Sequence, residues 1–231
     1  MSCRQCFVIS LVVLVLVMLV PSAHSAEPAF TEDFLMDKAD LASTGSNPYF
    51  ILETGYQQYF KSADGDLTIT VLNETKVVDG VETRIVEERE TEGGKIIEIS
   101  RNYFAISKRN NGVFYFGEDV DMYDKNEKVS GHGGSWLAGV DGAKAGLMAP
   151  GIALVGARYY QEIAPKLAMD RSEILSVSET MKVPAGSFAK VVKTEETTPL
   201  EKGKEYKYYA PGVGLLKDGD MLLVKYGNQG R

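Results

Sequence analysis

The chain has 231 residues, with 25 Lys plus Arg against 32 Asp plus Glu, a formal net charge of −7, 44% hydrophobic residues, two cysteines and two histidines. An acidic chain with no long basic run is a poor match for nucleic acid or for an anionic membrane surface. No internal repeat or low-complexity tract is present, so solenoids and propellers are excluded and one domain of ordinary size is the simplest account.

The first residues read as an export signal. Arg4 supplies a positive charge, residues 7–20 are apolar apart from Ser10, and Pro21-Ser22-Ala23-His24-Ser25-Ala26 has the small residues of a cleavage site, placed after Ser25. The apolar run is shorter than the roughly 20 residues of a membrane-crossing helix, so no transmembrane segment is expected after processing. No cysteine follows that run, so the acceptor of a lipoprotein anchor is missing. Cys3, Cys6 and His24 would leave with the signal, and Arg4 with them, taking the net charge from −7 to −8. A periplasmic or extracellular protein without disulfides is expected, stabilised by packing and backbone pairing. His132 is then the sole histidine, which rules out zinc sites built from histidine and cysteine, and no cofactor is implied.

Residues 26–46 read as a flexible N-terminal arm, a tether or a loosely docked segment, with a short helix expected over residues 32–41 on the strength of Phe34, Leu35 and Leu41. Residues 47–231 form a single β-rich domain. Leu67, Ile69 and Val71 alternate with Thr68 and Thr70, the mark of a strand with one buried face. Asp79-Gly80 between Val78 and Val81 is a two-residue hairpin signal, because both turn positions require positive φ. Gly93-Gly94 and Asn110-Asn111-Gly112 repeat that grammar, and further turns are expected at Lys125-Asn126, Ala185-Gly186 and Asp218-Gly219. Residues 142–170, rich in Ala, Gly and Pro, read as a long connection with one strand near residues 158–163. The fold class is all-β with minor helix: a single antiparallel sheet of consecutive hairpins, curled into a half-barrel, a barrel or a sandwich so that its edges are protected.

Four sets of residues are candidates for chemistry. His132 lies among glycines, with Ser130, Ser135 and Asp141 near it in sequence, but the strand-to-helix elbow of a serine nucleophile is absent. Glu118, Asp119, Asp121 and Asp124 are oxygen-rich enough for calcium, yet Asp124 stands where an EF-hand loop needs glycine and Ser130 where it needs glutamate, which leaves Asp119, Asp121 and Asp124 as a weak calcium candidate. Paired carboxylates of a hydrolase would come from Glu118, Asp119, Asp121 or Asp141. Trp136, Tyr159, Tyr160, Tyr206, Tyr208 and Tyr209 are candidates to line a pocket, since tyrosine joins an apolar body to a polar tip. The glycosylation sequon Asn73-Glu74-Thr75 matters only in a eukaryotic secretory pathway.

Val183-Pro184-Ala185-Gly186-Ser187-Phe188 and Tyr208-Tyr209-Ala210-Pro211-Gly212-Val213-Gly214-Leu215-Leu216-Lys217 resemble the V-P-A-G-x-F and Y-x-A-P-G-V-G-L-x-K segments of a group of bacterial exported β proteins. Asn47-Pro48-Tyr49-Phe50 and residues 134–143 resemble further stretches of that group. The resemblance implies an extracytoplasmic bacterial protein with a curved antiparallel sheet, and no activity. A looser likeness is to periplasmic lipoprotein-carrier half-barrels, which hold acyl chains. The function expected is a non-enzymatic binding or envelope-associated domain with a hydrophobic or polymeric ligand. The alternatives are a carboxylate hydrolase of an extracellular polymer and a calcium-stabilised adhesion module.

Overall fold

The computed structural model describes residues 29–228, and over them the chain is built of antiparallel strands. The expected export signal lies outside the described residues. After an N-terminal arm come β1 (Leu41–Ala42) and a small hairpin, β2 (Gly45–Asn47) with β3 (Phe50–Leu52). A run of long meandering strands follows: β4 (Tyr56–Lys61), β5 (Gly65–Val78), β6 (Val81–Glu92), β7 (Lys95–Ser107) and β8 (Val113–Tyr123). β9 (Val129–Gly131) and β10 (Trp136–Leu137) fold back on β8, and β11 (Lys144–Ala149), β12 (Arg158–Tyr160) and β13 (Glu162–Ile163) carry the chain onward. β14 (Arg171–Val183), β15 (Gly186–Thr197), β16 (Glu205–Ala210), β17 (Gly214–Asp218) and β18 (Met221–Asn228) complete it.

The turns act as the sequence predicts. Asp79 and Gly80 have φ of 49° and 76°, Gly93 and Gly94 have 55° and 78°, and each pair closes a two-residue hairpin. Asn111 reverses the chain between β7 and β8 at φ 60°. β5 pairs Leu67, Ile69 and Val71 with Glu90, Glu88 and Val86 of β6, so the alternating apolar face of β5 continues onto a neighbour that carries acid. Between Val71 and Thr75 the register shifts, and the irregular backbone is gathered by Arg84: its guanidinium donates to the carbonyls of Leu72, Asn73 and Glu74, and to that of Ser43 at 2.9 Å. Arg84 is thereby buried with its donors met.

The sheet runs β12-β14-β15-β16-β17-β18-β4-β5-β6-β7-β8-β11-β13. Its two outermost strands, β12 and β13, are separated in sequence by one residue, Gln161. The sheet therefore curls until its edges meet and is nearly closed into a barrel. At the meeting point the amides of Gln161 and Glu162 both donate to Asp170 O, at 2.7 and 3.1 Å. The Gln161 side chain reaches Glu196 of β15 at 3.2 Å and the Met148 sulfur of β11 at 3.7 Å, so it touches both sides of the seam.

Two regions differ from the sequence-based expectation. The helix over residues 32–41 is a single 3₁₀ turn, Lys38–Asp40, and Leu35 has a positive φ of 48° with its side chain exposed. The arm is held out straight by its contacts. Thr31 bridges Tyr159, the Phe30 ring lies 4.4 Å from the guanidinium carbons of both Arg158 and Arg171, and Phe34 meets Phe114 edge-on. Residues 142–170 hold three strands in place of the one expected. β11 escaped notice because Lys144-Ala145-Gly146-Leu147-Met148-Ala149 has small residues where β-branched ones would mark a strand.

The small residues have a steric reason. A Cβ on Gly146 would lie 2.2 Å from Gln161 O, in the seam itself. Gly146→Ala is expected to lower stability by more than about 2 kcal/mol, since closure leaves no room for the methyl group. Urea denaturation checks this, with Gly133→Ala, where nothing lies within 4 Å, as the near-neutral control.

Candidate functional site

Inward-facing side chains make the barrel lumen two-natured. Ile69, Val71, Val86, Leu215, Tyr49 and Phe50 wall an apolar compartment of about 90 Å³. It adjoins a chamber of about 180 Å³ lined by Glu88, Glu98, Glu118, Glu162, Asp170 and Glu196. Glu88, Met148 and Lys207 belong to both walls and form the partition. The chamber in turn shares Asp170, Glu196 and Lys207 with an open mouth of about 450 Å³ formed by residues 197–205. An aromatic run follows these walls, with Phe50 on the apolar compartment and Phe104 and Tyr115 on the chamber. Phe50 of the β2–β3 hairpin meets Phe104 at 4.8 Å, Phe104 stacks on Tyr115 at 4.6 Å, and Tyr115 meets Trp136 at 5.4 Å.

Lys207 is the one basic side chain on the walls of the apolar compartment and the chamber. Burial alone would discharge it, but Glu196 and Asp218 hold its pKa well above the usual lysine range. Its Nζ lies 3.1 Å from a carboxylate oxygen of each. Glu196 is further held by Gln161 and by the Tyr209 hydroxyl at 3.4 Å. This group is internally satisfied and carries one surplus negative charge.

The carboxyls nearer β6, β8 and β13 are in a different state. Burial raises Glu88 and Glu118 to about 7, and for Glu118 the Tyr115 hydrogen bond opposes that rise while Glu98 and Asp170 add to it. Glu162 is pushed well above the ordinary range by burial and then by Asp170 and Glu118. Asp170, at the mouth, is raised by burial and by Glu196. The Tyr115 hydroxyl donates to Asn102 Oδ1, and the Asn102 amide donates to Ser100 Oγ at 3.2 Å. Burial thus favours the neutral forms of Glu88, Glu118, Glu162 and Asp170 relative to free carboxyls, and Lys207 opposes that shift at Glu88, Glu162 and Asp170. A bound cation would reverse that preference.

Of the residues singled out in the sequence, Asp119, Ser135, Trp136 and Asp141 share the wall of a separate open cleft of about 250 Å³, and the structure disperses the others. Tyr206 and Tyr208 share a face of β16, and it is the outer one, where Lys193 lies 4.4 Å above the Tyr206 ring. Tyr209 points the other way and walls the apolar compartment. Tyr159 is buried beside Ile174 and Val192, and Tyr160 meets Phe30. Trp136 closes the aromatic run inside the barrel. Asp119 binds Lys76 Nζ at 2.8 Å and the Tyr103 hydroxyl, Asp121 binds Arg101 and faces His132, and Asp124 accepts two turn amides. Those three aspartates are spent on separate partners, and among the described residues no three acidic or histidine side chains are grouped to hold a metal ion. Ser135 accepts from Val120 N and Ser130 donates to Met122 O, so neither is aligned with His132 as a nucleophile. Asp141 sits in an exposed turn at φ 50°. Of the hydrolase candidates, Glu118 alone enters the chamber.

Glu88, Glu98, Glu162, Asp170, Glu196 and Lys207 were not found by sequence reasoning. One signal was present: Glu88 and Glu90 continue the face of β6 that begins with Val86, opposite the apolar stripe of β5. No family model matches the chain, and neither a curated protein nor a solved structure matches it.

Because Glu88 and Glu118 take up protons more readily folded than unfolded, they oppose folding most strongly above pH 7, and that penalty fades as pH falls from about 7 toward 4.5. The melting temperature is therefore expected to rise between pH 8 and pH 5. Glu88→Gln and Glu118→Gln are each expected to stabilise the protein at pH 8 by about 1–3 kcal/mol and to flatten that slope. Thermal unfolding across this range measures both.

Proposed function

We propose that the protein is a non-enzymatic, exported β domain that binds a small amphipathic molecule in its lumen. The apolar part of the ligand lies between Ile69, Val71, Val86 and Leu215, and its head, a cation or a cluster of hydrogen-bond donors, lies among Glu88, Glu118 and Glu162. The observation that carries this reading is the shared partition of Glu88, Met148 and Lys207 between an apolar compartment and an acid-lined one. A site of this kind orients a ligand end to end, because each compartment repels the other end. The likeness of two segments to bacterial exported β proteins agrees with the extracytoplasmic location, where such a carrier would meet its ligand.

A homologous series of short n-alkylamines, set against n-alkyl carboxylates of equal length, tests the assignment by thermal shift. The amines are expected to raise the melting temperature increasingly with chain length, and the carboxylates to leave it unchanged. The Glu118→Gln, Glu162→Gln double variant is expected to lose at least tenfold in amine affinity. Equal response to both series, or to neither, would sink the reading.

One observation favours a second reading, a carboxylate hydrolase. Glu118 has its pKa near neutrality beside another chamber acid, Glu162, which is the state of a general acid. Turnover of a glycoside or ester panel that disappears in Glu118→Gln would establish it. The chamber, at about 180 Å³, is small beside a polymer chain, which favours a binding role.

A further inference from the structure

The loop from β11 to β12 exposes three aliphatic side chains within four residues: Ile152, Leu154 and Val155 are 74%, 63% and 62% exposed. A loop that merely links two strands has no need of them, and water-facing aliphatics in such density mark a contact surface. The loop is also held in place. Asn47, fully buried, donates through its side-chain amide to Pro150 O at 2.9 Å and to Asn111 O at 2.8 Å. Gly156 N donates to Ile174 O at 2.8 Å and Ala157 N to Leu154 O at 3.0 Å. Gly151 packs so closely on the β7–β8 turn that a Cβ there would lie 1.6 Å from Asn110 O. The aliphatics are therefore presented by a fixed backbone.

That neighbouring turn carries Lys108 and Arg109, both exposed and, among the described residues, without a salt-bridge partner at 4 Å. Lys108 Nζ donates to the exposed Ala39 O at 3.0 Å, and the acid Asp40 beside the turn is engaged by Ser107 Oγ and the Arg109 amide. Exposed aliphatic side chains on one loop and two cations on the turn packed against it match the layered chemistry of a phospholipid surface, acyl chains below phosphates. The inner side of the same loop is the wall of a cleft: Pro150 and Ala153 line it with Tyr49, Phe50, Tyr159 and Ile174, next to the apolar compartment of the lumen.

We infer that the β11–β12 loop docks on the surface of a phospholipid bilayer, with Ile152, Leu154 and Val155 entering the acyl boundary and Lys108 and Arg109 meeting lipid phosphates. The acidic net charge does not forbid this, because repulsion from the rest of the chain is screened beyond about 8 Å at physiological ionic strength. The inference goes beyond the ligand assignment, and it places the apolar end of the lumen next to the membrane.

Flotation of the mature protein with vesicles of phosphatidylcholine, and of phosphatidylcholine with one-fifth phosphatidylglycerol, tests it. The protein is expected to float with both. The Ile152→Ser, Leu154→Ser, Val155→Ser variant is expected to lose at least tenfold in partitioning to both while keeping its melting temperature, because the three side chains are exposed. Lys108→Gln with Arg109→Gln is expected to weaken binding less, and most on the anionic vesicles. Glu118→Gln, within the lumen, is expected to float as the parent does, so a failed ligand assignment and a failed docking surface give different results. A parent protein that stays at the bottom with both vesicles would overturn the inference, as would a triple-serine variant that floats unchanged. Light scattering showing a dimer that the triple-serine variant abolishes, with no flotation of the parent, would overturn it in favour of a second copy of this chain.

Discussion

Gln161 belongs to neither edge strand, yet the residues on either side of it join both edges of the sheet. β12 pairs with β14 and β13 with β11, so one short stretch of chain brings the first and last strands of the path together. The side chain of Gln161 turns into the lumen, and its carbonyl occupies the space that Gly146 vacates. Closure at this point protects the strand edges that would otherwise template aggregation. It also creates an interior. The arm completes the seam from outside, since Thr31 N donates to Arg158 O and Tyr160 N to Thr31 O, both at 2.9 Å.

Once the sheet is closed, the inward face of every strand shares one low-dielectric space, and side chains far apart in sequence begin to set one another's charge. Lys207 of β16 remains a cation only because Glu196 of β15 and Asp218 of β17 stand beside it. Glu88, Glu118 and Glu162 have no comparable partner, and their neutral forms are favoured. A domain optimised for stability alone would hold apolar side chains there, because burying carboxyls without partners costs free energy. Their retention beside an apolar compartment is the physical ground for a ligand with a polar, cation-like head. Tyr209, Gln161 and Glu196, like Tyr115, Asn102 and Ser100, form parts of the wall that are hydrogen-bonded within the protein.

Local signals in the sequence carried much of the fold. Asp79-Gly80 and Gly93-Gly94 announce their hairpins because positive φ at two consecutive positions is a demand on residue type. The Leu67, Ile69, Val71 stripe announces which face of β5 is buried because side chains alternate on a strand. The helix expected over residues 32–41 was a misreading of Phe34 and Leu41, whose partners Phe114 and Ser107 lie on strands that no local pattern could name. β11 was missed for a related reason: its small residues answer to Gln161, which follows fifteen residues after Gly146. The candidate site was least legible of all. Glu118, Asp119 and Asp121 stood as equal candidates in the sequence, but alternation sends the two aspartates to the outer face, where Lys76, Tyr103 and Arg101 occupy them, while Glu118 turns inward.

By itself, the sequence determined the class of fold, the hairpin turns and the burial of individual strand faces, because each of these depends on residues within a few positions of one another. Only the tertiary structure decided that the sheet closes at Gln161, that five acids from separate strands and Asp170 from the loop before β14 share one chamber with Lys207, and that Ile152, Leu154 and Val155 stand clear of the core on a rim. Those outcomes depend on register and curvature accumulated around the whole barrel. A small shift in either would send the same side chains into solvent or into each other, and no short stretch of sequence carries that sum.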